Sequence, residues 1–117
     1  MIKIKRVYEE PSPGDGMRIL VDRVWPRGIS KERARLADWR KDLAPSTALR
    51  KWFGHDPSKW KGFRDRYRAE LTRSGQIDAL KELARLSGRK TVTLVYGAAD
   101  EIHNQAVALK EVLDELA

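Results

Sequence analysis

RILVDRVWPRG (residues 18–28) is the stretch on which the reading of the fold turns. With Met17 before it, the run from 17 to 25 carries apolar side chains on both faces, the pattern of an inner strand covered on each side. Alternation of the pleat assigns Ile19, Val21, Arg23 and Trp25 to one face and Leu20, Asp22 and Val24 to the other. Asp22 and Arg23 therefore cannot neutralise each other. Each needs its own partner, because an unpaired buried charge costs several kcal/mol. Two readings stay open: structural ion pairs with other parts of the domain, or charges that face a pocket.

The stretch closes on Trp25-Pro26-Arg27-Gly28. Proline biases Trp25 towards extended backbone and fixes its own, and Gly28 is free to turn left-handed. Arg27 is thus presented at a defined place, where a guanidinium grips carboxylate or phosphate in two-point fashion.

A second strand signal is TVTLVYG (91–97), followed by Asp100 as a helix N-cap and a terminal helix with Ile102, Ala106, Leu109, Leu113 and Leu116 inward. IKIKRVY (2–8) alternates as a half-exposed edge strand, and EEPSPGDG (9–16) is a loop. That loop is short for a crossover, so the first two strands are either antiparallel partners or not neighbours. Ser30–Arg35 reads as a helical turn and LADW (36–39) as a short extended piece. Ser46 caps TALRKWF (47–53), which Gly54 stops. Asp56-Pro57 opens a helix whose stripe is Trp60, Phe63, Tyr67 and Leu71, and QIDALKELARLS (76–87) forms another. The expectation is an α/β fold: a single small domain over 1–117, with a short parallel or mixed sheet of three to four strands packed by about four helices.

Ligands of open α/β sheets collect beyond the carboxyl ends of the strands. Two polar clusters lie there: Asp22, Arg23, Trp25, Arg27 and Gly28 after one strand, and Tyr96, Gly97, Asp100, His103 and Asn104 after the other. They meet if the strands are parallel neighbours. Arg23 and Arg27 would then hold an anionic group, helped by amides around Asp100 to His103, with Trp25 or Tyr96 as a wall. Asp22, His103 and Asn104 would orient the ligand or turn it over. His103, placed in the first turn of a helix, reads as a general base, a phosphate donor or a hydrogen-bonded structural histidine. Asp22 and Asp100 also allow an acid–base pair, whose separation the sequence does not give.

The chain has 24 Lys and Arg against 17 Asp and Glu, a net charge of +7. That balance suits an anionic small molecule or nucleotide, and as a rival reading nucleic acid along the basic flanks of the aromatic helix. A nucleic-acid surface would expose aromatics among its basic residues, whereas the helical phase turns Trp60, Phe63 and Tyr67 inward. Without cysteine there are no disulfides, thiolate metal sites or cysteine nucleophiles. Asp22, His55, Asp100 and His103 show no metal-ligand spacing, so neither metal nor cofactor is expected, and His55 reads as a loop histidine. No run approaches the roughly 20 apolar residues of a membrane span, and the start lacks the apolar region of a signal peptide. A cytoplasmic protein with no membrane contact is the expectation, and the oligomeric state is left open.

RILVDRVWPRG, LAPSTALRKWFGHDP, the aromatic helix with RYRAEL, and TVTLVYGAADEIHNQAVALKEVL together resemble the YeaO-like branch of the domain of unknown function 488 family. The resemblance implies a small single-domain α/β protein of bacterial or archaeal type, and no particular activity. Asp22, Arg23, Trp25, Pro26, Arg27, Gly28, His103 and Asn104 match that branch's recurring motifs. The family's longer branch carries a Cys-His motif where this chain has His103-Asn104, so thiol chemistry does not carry over.

Overall fold

Val92–Tyr96 is the strand around which the molecule is laid out, and all five of its residues are buried. The structure, a computed structural model, describes all 117 residues. In chain order the strands are β1 (Ile2–Arg6), β2 (Met17–Leu20), β3 (Asp38–Trp39) and β4 (Val92–Tyr96); the helices are α1 (Lys31–Ala34), α2 (Thr47–Phe53), α3 (Trp60–Arg73), α4 (Ile77–Ser87) and α5 (Gln105–Leu116). The sheet order is β1-β4-β2-β3, and every pair is parallel. The fold is α/β.

β1 and β2 are thus non-neighbours, with β4 between them. Loop 9–16 makes the return across one face of β4 with only the 3-10 turn Pro13–Asp15 in it, and Thr93 Oγ1 donates to the Asp15 carbonyl at 2.7 Å where it crosses.

The two faces are covered unequally. On one, α2, α3, α4 and α5 pack with Ile19, Val21, Leu94 and Tyr96 into the large core. On the other, Leu20 and Val95 lie under only Val7, Ile29, Ala34, Trp25, Leu36 and Trp39. Beneath the return loop this thin face also buries Asp15 and Arg18, each 4% exposed, joined at 2.8 Å. Lys5 Nζ donates to Asp15 at 3.1 Å, and the Ser12 amide and hydroxyl donate to it at 3.0 Å each. Burial works to raise the Asp15 carboxyl, but the Ser12 amide, Lys5, the Ser12 hydroxyl and Arg18 outweigh it and hold it well below the usual carboxylate range.

Local signals set most boundaries. Ser30 and Ser46 cap α1 and α2 by accepting from Arg33 N and Leu49 N, a bond worth about 1 kcal/mol each. Ser46 also binds Glu70 of α3 through its amide and hydroxyl, so one cap orients two helices. Asp56-Pro57 opens a 3-10 turn that runs into α3. Phe63, Tyr67 and Leu71 are buried, and the Tyr67 hydroxyl donates to the Leu43 carbonyl.

Two boundaries differ from the sequence reading. β2 stops at Leu20 rather than reaching Trp25, because β3 offers only two residues and β4 ends at Tyr96, which leaves no ladder to continue. Pleat alternation consequently fails past Val21: Trp25 packs on the thin face with Leu20, and Val24 is 59% exposed. The terminal helix begins at Gln105 and is capped by Asn104, not Asp100. Residues 101–104 form a bend, so Ile102 is 69% exposed instead of inward.

Candidate functional site

The parallel register of β2 and β4 pairs Leu20 with Val95, so the two strands end side by side. Val21 N still donates to the Val95 carbonyl at 3.0 Å, and one residue on the ladder becomes a side-chain contact: Gly97 N donates to Asp22 Oδ2 at 3.0 Å. A Cβ on Gly97 would lie 2.8 Å from that oxygen, so glycine allows the approach without displacing the carboxylate. The Gln105 amide of α5 donates to Asp22 Oδ1. Asp22 is thereby fixed by both strand exits and by the first turn of α5. Burial pushes its carboxyl up to about 6, against the pull of the Gly97 amide, the Arg50 charge and the Gln105 amide.

The other cluster is organised by Asp100. Its Oδ1 accepts from Ile102 N and His103 N, both at 2.9 Å, and its Oδ2 lies 3.0 Å from His103 Nδ1. These bonds lower the Asp100 carboxyl to about 2. They also fix the His103 ring, whose edge meets Trp60 at 5.4 Å between centroids. The same bonds consume the amides expected to greet an anion. Asn104 is 2% exposed and fully occupied, its Oδ1 accepting from Val107 N and its Nδ2 donating to the Asp100 carbonyl.

Between the clusters runs a groove of two lobes. One, about 170 Å³, is walled by Thr47, Arg50, Lys51, His55 and His103; the other, about 250 Å³, by Asp22, Arg23, Arg50, Gly97 and Gln105. Arg50, His55 and Gln105 belong to both. Arg50 and Lys51 are exposed, and neither has a carboxylate within ion-pair distance.

The sequence-derived candidates divide between groove and scaffold. Asp22, His103 and Asn104 line the groove. Arg23 touches it, but its guanidinium donates to the Pro45 and Ala44 carbonyls at 2.9 and 3.2 Å and so ties the segment before α2 to the end of β2. Trp25 lies on the thin face, its Nε1 bonded to the Ile29 carbonyl and its ring edge-on to Trp39. Arg27 is exposed and lies outside the groove, with its carbonyl accepting from the Tyr8 hydroxyl at 2.7 Å. Gly28 is left-handed, with φ at 74°. Tyr96 is 2% exposed in the large core rather than a wall of the groove. Asp100 acts behind His103.

Arg50 and Lys51 were not singled out by the sequence reading, and His55 was read as a loop histidine. The signal was present for two of them: Thr47, Arg50 and Lys51 stand at i, i+3 and i+4 of one short helix and so share a face. His55 is brought round by backbone geometry, since its φ is 57°, uncommon outside glycine. Trp52, which follows Arg50 and Lys51 on α2, is half-buried, with Arg66 at 3.9 Å and Lys59 at 5.2 Å from its ring centre and Gly62 packed against the ring edge. No group of three or more His, Asp or Glu is placed to hold a metal ion, and no helix is long and apolar enough to cross a membrane.

Comparison with known proteins places this geometry among relatives. The family model described as "Inactive DUF488-N3 subclade" matches residues 1–117. The uncharacterized protein YeaO of Escherichia coli is 42% identical over 115 residues, 98% of this chain and 98% of the relative. The uncharacterized protein Rv3073c of Mycobacterium tuberculosis is 42% identical over 113 residues, 97% of this chain and 93% of the relative. No solved structure matches the chain.

Proposed function

This chain belongs to the DUF488 family, in the subclade described as inactive DUF488-N3, and from that premise we propose that it binds a small phosphate-bearing molecule in the two-lobed groove without turning it over. The observation that carries the reading is the meeting of Arg50, Lys51, His55 and His103 around one lobe while Arg50 and Lys51 have no ion-pair partner. Exposed cations gathered at a concave surface without an ion-pair partner attract an external anion. Arginine adds a planar fork suited to two phosphate oxygens, and lysine a point charge beside it. His103, with Nδ1 occupied by Asp100, presents its other ring nitrogen for a single hydrogen bond.

Arg50 takes over here the part first assigned to Arg23 and Arg27, because Arg23 is engaged with carbonyls and Arg27 lies elsewhere. The family description, which calls the subclade inactive, favours binding over catalysis.

Thermal denaturation in the presence of phosphate esters tests the reading. A ligand at one hundred times its Kd adds about 2.7 kcal/mol to stability, a shift of several degrees for a chain of this size. Arg50→Ala should abolish that shift while leaving the unliganded melting temperature close to the parent's, since Arg50 is exposed. Equal shifts in parent and variant would refute the proposal.

A further inference from the structure

The two lobes differ in chemistry, and the difference specifies what is attached to the phosphate. The lobe of Thr47, Lys51 and His103 is cationic. The other is built around a carboxylate whose two oxygens are each held by one donor: Oδ2 by Gly97 N at 3.0 Å and Oδ1 by the Gln105 amide. A carboxylate has about four acceptor sites, so these two bonds leave one lone pair on each oxygen. Two donors fixed from the protein side orient the plane of the group, and Asp22, with one acceptor site free on each oxygen, is among the residues that line this lobe. The partner that satisfies both at once is a pair of neighbouring hydroxyls on one ligand, the way an acidic side chain takes the two hydroxyls of a ribose. Asp22 is the one carboxylate of this lobe and stands among Arg23, Arg50 and His55, the Arg23 guanidinium being already bonded to the Pro45 and Ala44 carbonyls.

Arg50 lies on the wall common to both lobes, and its charge acts on Asp22 without an ion pair between them. A ligand spanning the groove therefore meets cation, then carboxylate, within one small molecule's length. Together the lobes reach the lower part of the roughly 300–1,000 Å³ range of small-molecule sites.

We propose that the ligand is a phosphomonoester carrying a vicinal diol, its phosphate against Arg50 and Lys51 and its two hydroxyls on Asp22. The proposal rests on the phosphate reading above and adds the second half of the ligand. The chemistry is shared by sugar phosphates and nucleoside monophosphates.

Titration calorimetry of the full chain at pH 8 and fixed ionic strength separates the claims, using ribose 5-phosphate against 2-deoxyribose 5-phosphate, and AMP against dAMP. Each diol-bearing compound should bind at least about 10-fold tighter than its deoxy partner, the factor that corresponds to 1.4 kcal/mol. Asp22→Asn should erase that ratio and keep the affinity for the deoxy compounds, whereas Arg50→Ala should weaken all four. AMP binding tighter than ribose 5-phosphate assigns a nucleotide, and the reverse assigns a sugar phosphate; both outcomes uphold the diol. Equal binding of diol and deoxy compounds overturns this proposal while the phosphate reading survives. Binding of none of the four overturns both. Discrimination retained in Asp22→Asn, with the variant shown folded by its circular dichroism, moves the diol off Asp22 and also overturns it.

Discussion

Asp15 precedes β2 and Asp22 follows it, both are largely withdrawn from water, and their carboxyls move in opposite directions. Asp15 is surrounded by the groups that a buried carboxylate needs: Arg18 at 2.8 Å, Lys5 at 3.1 Å and two donors from Ser12. Asp22 has neutral donors, one backbone amide and one side-chain amide, and the charge of Arg50 acts on it without an ion pair. The first carboxylate is complete within the protein. The second is left with acceptors unfilled at the floor of a groove. A buried charge that the fold does not satisfy points outward to a ligand, and one that it does satisfy is part of the frame.

The contrast is broken most severely at Asp15. Asp15→Asn removes the charge and leaves Arg18 buried against a neutral amide, with Lys5 also released. Losing one member of a buried pair costs about 3–5 kcal/mol, a large part of a total that is typically 5–15 kcal/mol. Urea unfolding at pH 7 reads this as a midpoint shift, and exchanging Arg18 for Met in the same variant should recover part of the loss. If Asp15→Asn is neutral, the cluster is not the frame.

At Asp22 the same exchange should stabilise. Its folded carboxyl titrates near 6 and its ordinary value is 3.8, so between those pH values the folded state holds a proton that the unfolded state has lost. Stability therefore falls as pH rises from about 4 to about 6 and stays level above. Asp15 has the opposite sign: its folded value is depressed, so its contribution is complete above the ordinary 3.8 and is lost as pH falls below it. Asp22→Asn should flatten the decline between pH 4 and 6 and raise stability at pH 7 by about 1–2 kcal/mol, below the roughly 3 that two pKa units would give because the group is partly exposed. A steeper decline in the variant would reverse the assignment.

How far the sequence foretold this arrangement depends on the distance over which each residue finds its partners. The elements were legible: Ser30, Ser46, Gly54 and the spacing of Phe63, Tyr67 and Leu71 act within a turn or two of chain. The adjacency of the two strand exits was conditional in the sequence on the strands being parallel neighbours, and the structure makes them so. Asp22, His103 and Asn104 could be placed at the groove on that basis. The end of β2 was not legible, because it depends on how little β3 and β4 offer, and with it went the positions of Trp25 and Arg27. Asp15 was read only as part of a loop and Arg18 only as part of an inner strand, since nothing local announces that loop 9–16 folds back over β4. Arg50 and His55 were hidden for the same reason: their place depends on how α2 is tied down through Arg23 and Glu70, contacts separated by more than twenty residues.

The smallest expected effect is the most discriminating, and it concerns Gly97. A methyl there meets the side-chain oxygen of Asp22 at 2.8 Å and the Pro26 ring no closer than 3.4 Å, so the crowding comes chiefly from the carboxylate. Because that oxygen is at the end of a side chain able to shift, Gly97→Ala should cost only about 1 kcal/mol, the low end for an overpacked site. In an Asp22→Ala background the obstacle is gone and the cost should fall close to zero. A double-mutant cycle from urea unfolding would then show coupling within the 0.5–3 kcal/mol typical of residues in contact. Additive costs would mean that the glycine answers to the backbone and not to Asp22, and that the carboxylate is free to leave its place. In that case Asp22 would have no fixed orientation from which to meet two hydroxyls, and its difference from Asp15 would be one of exposure alone.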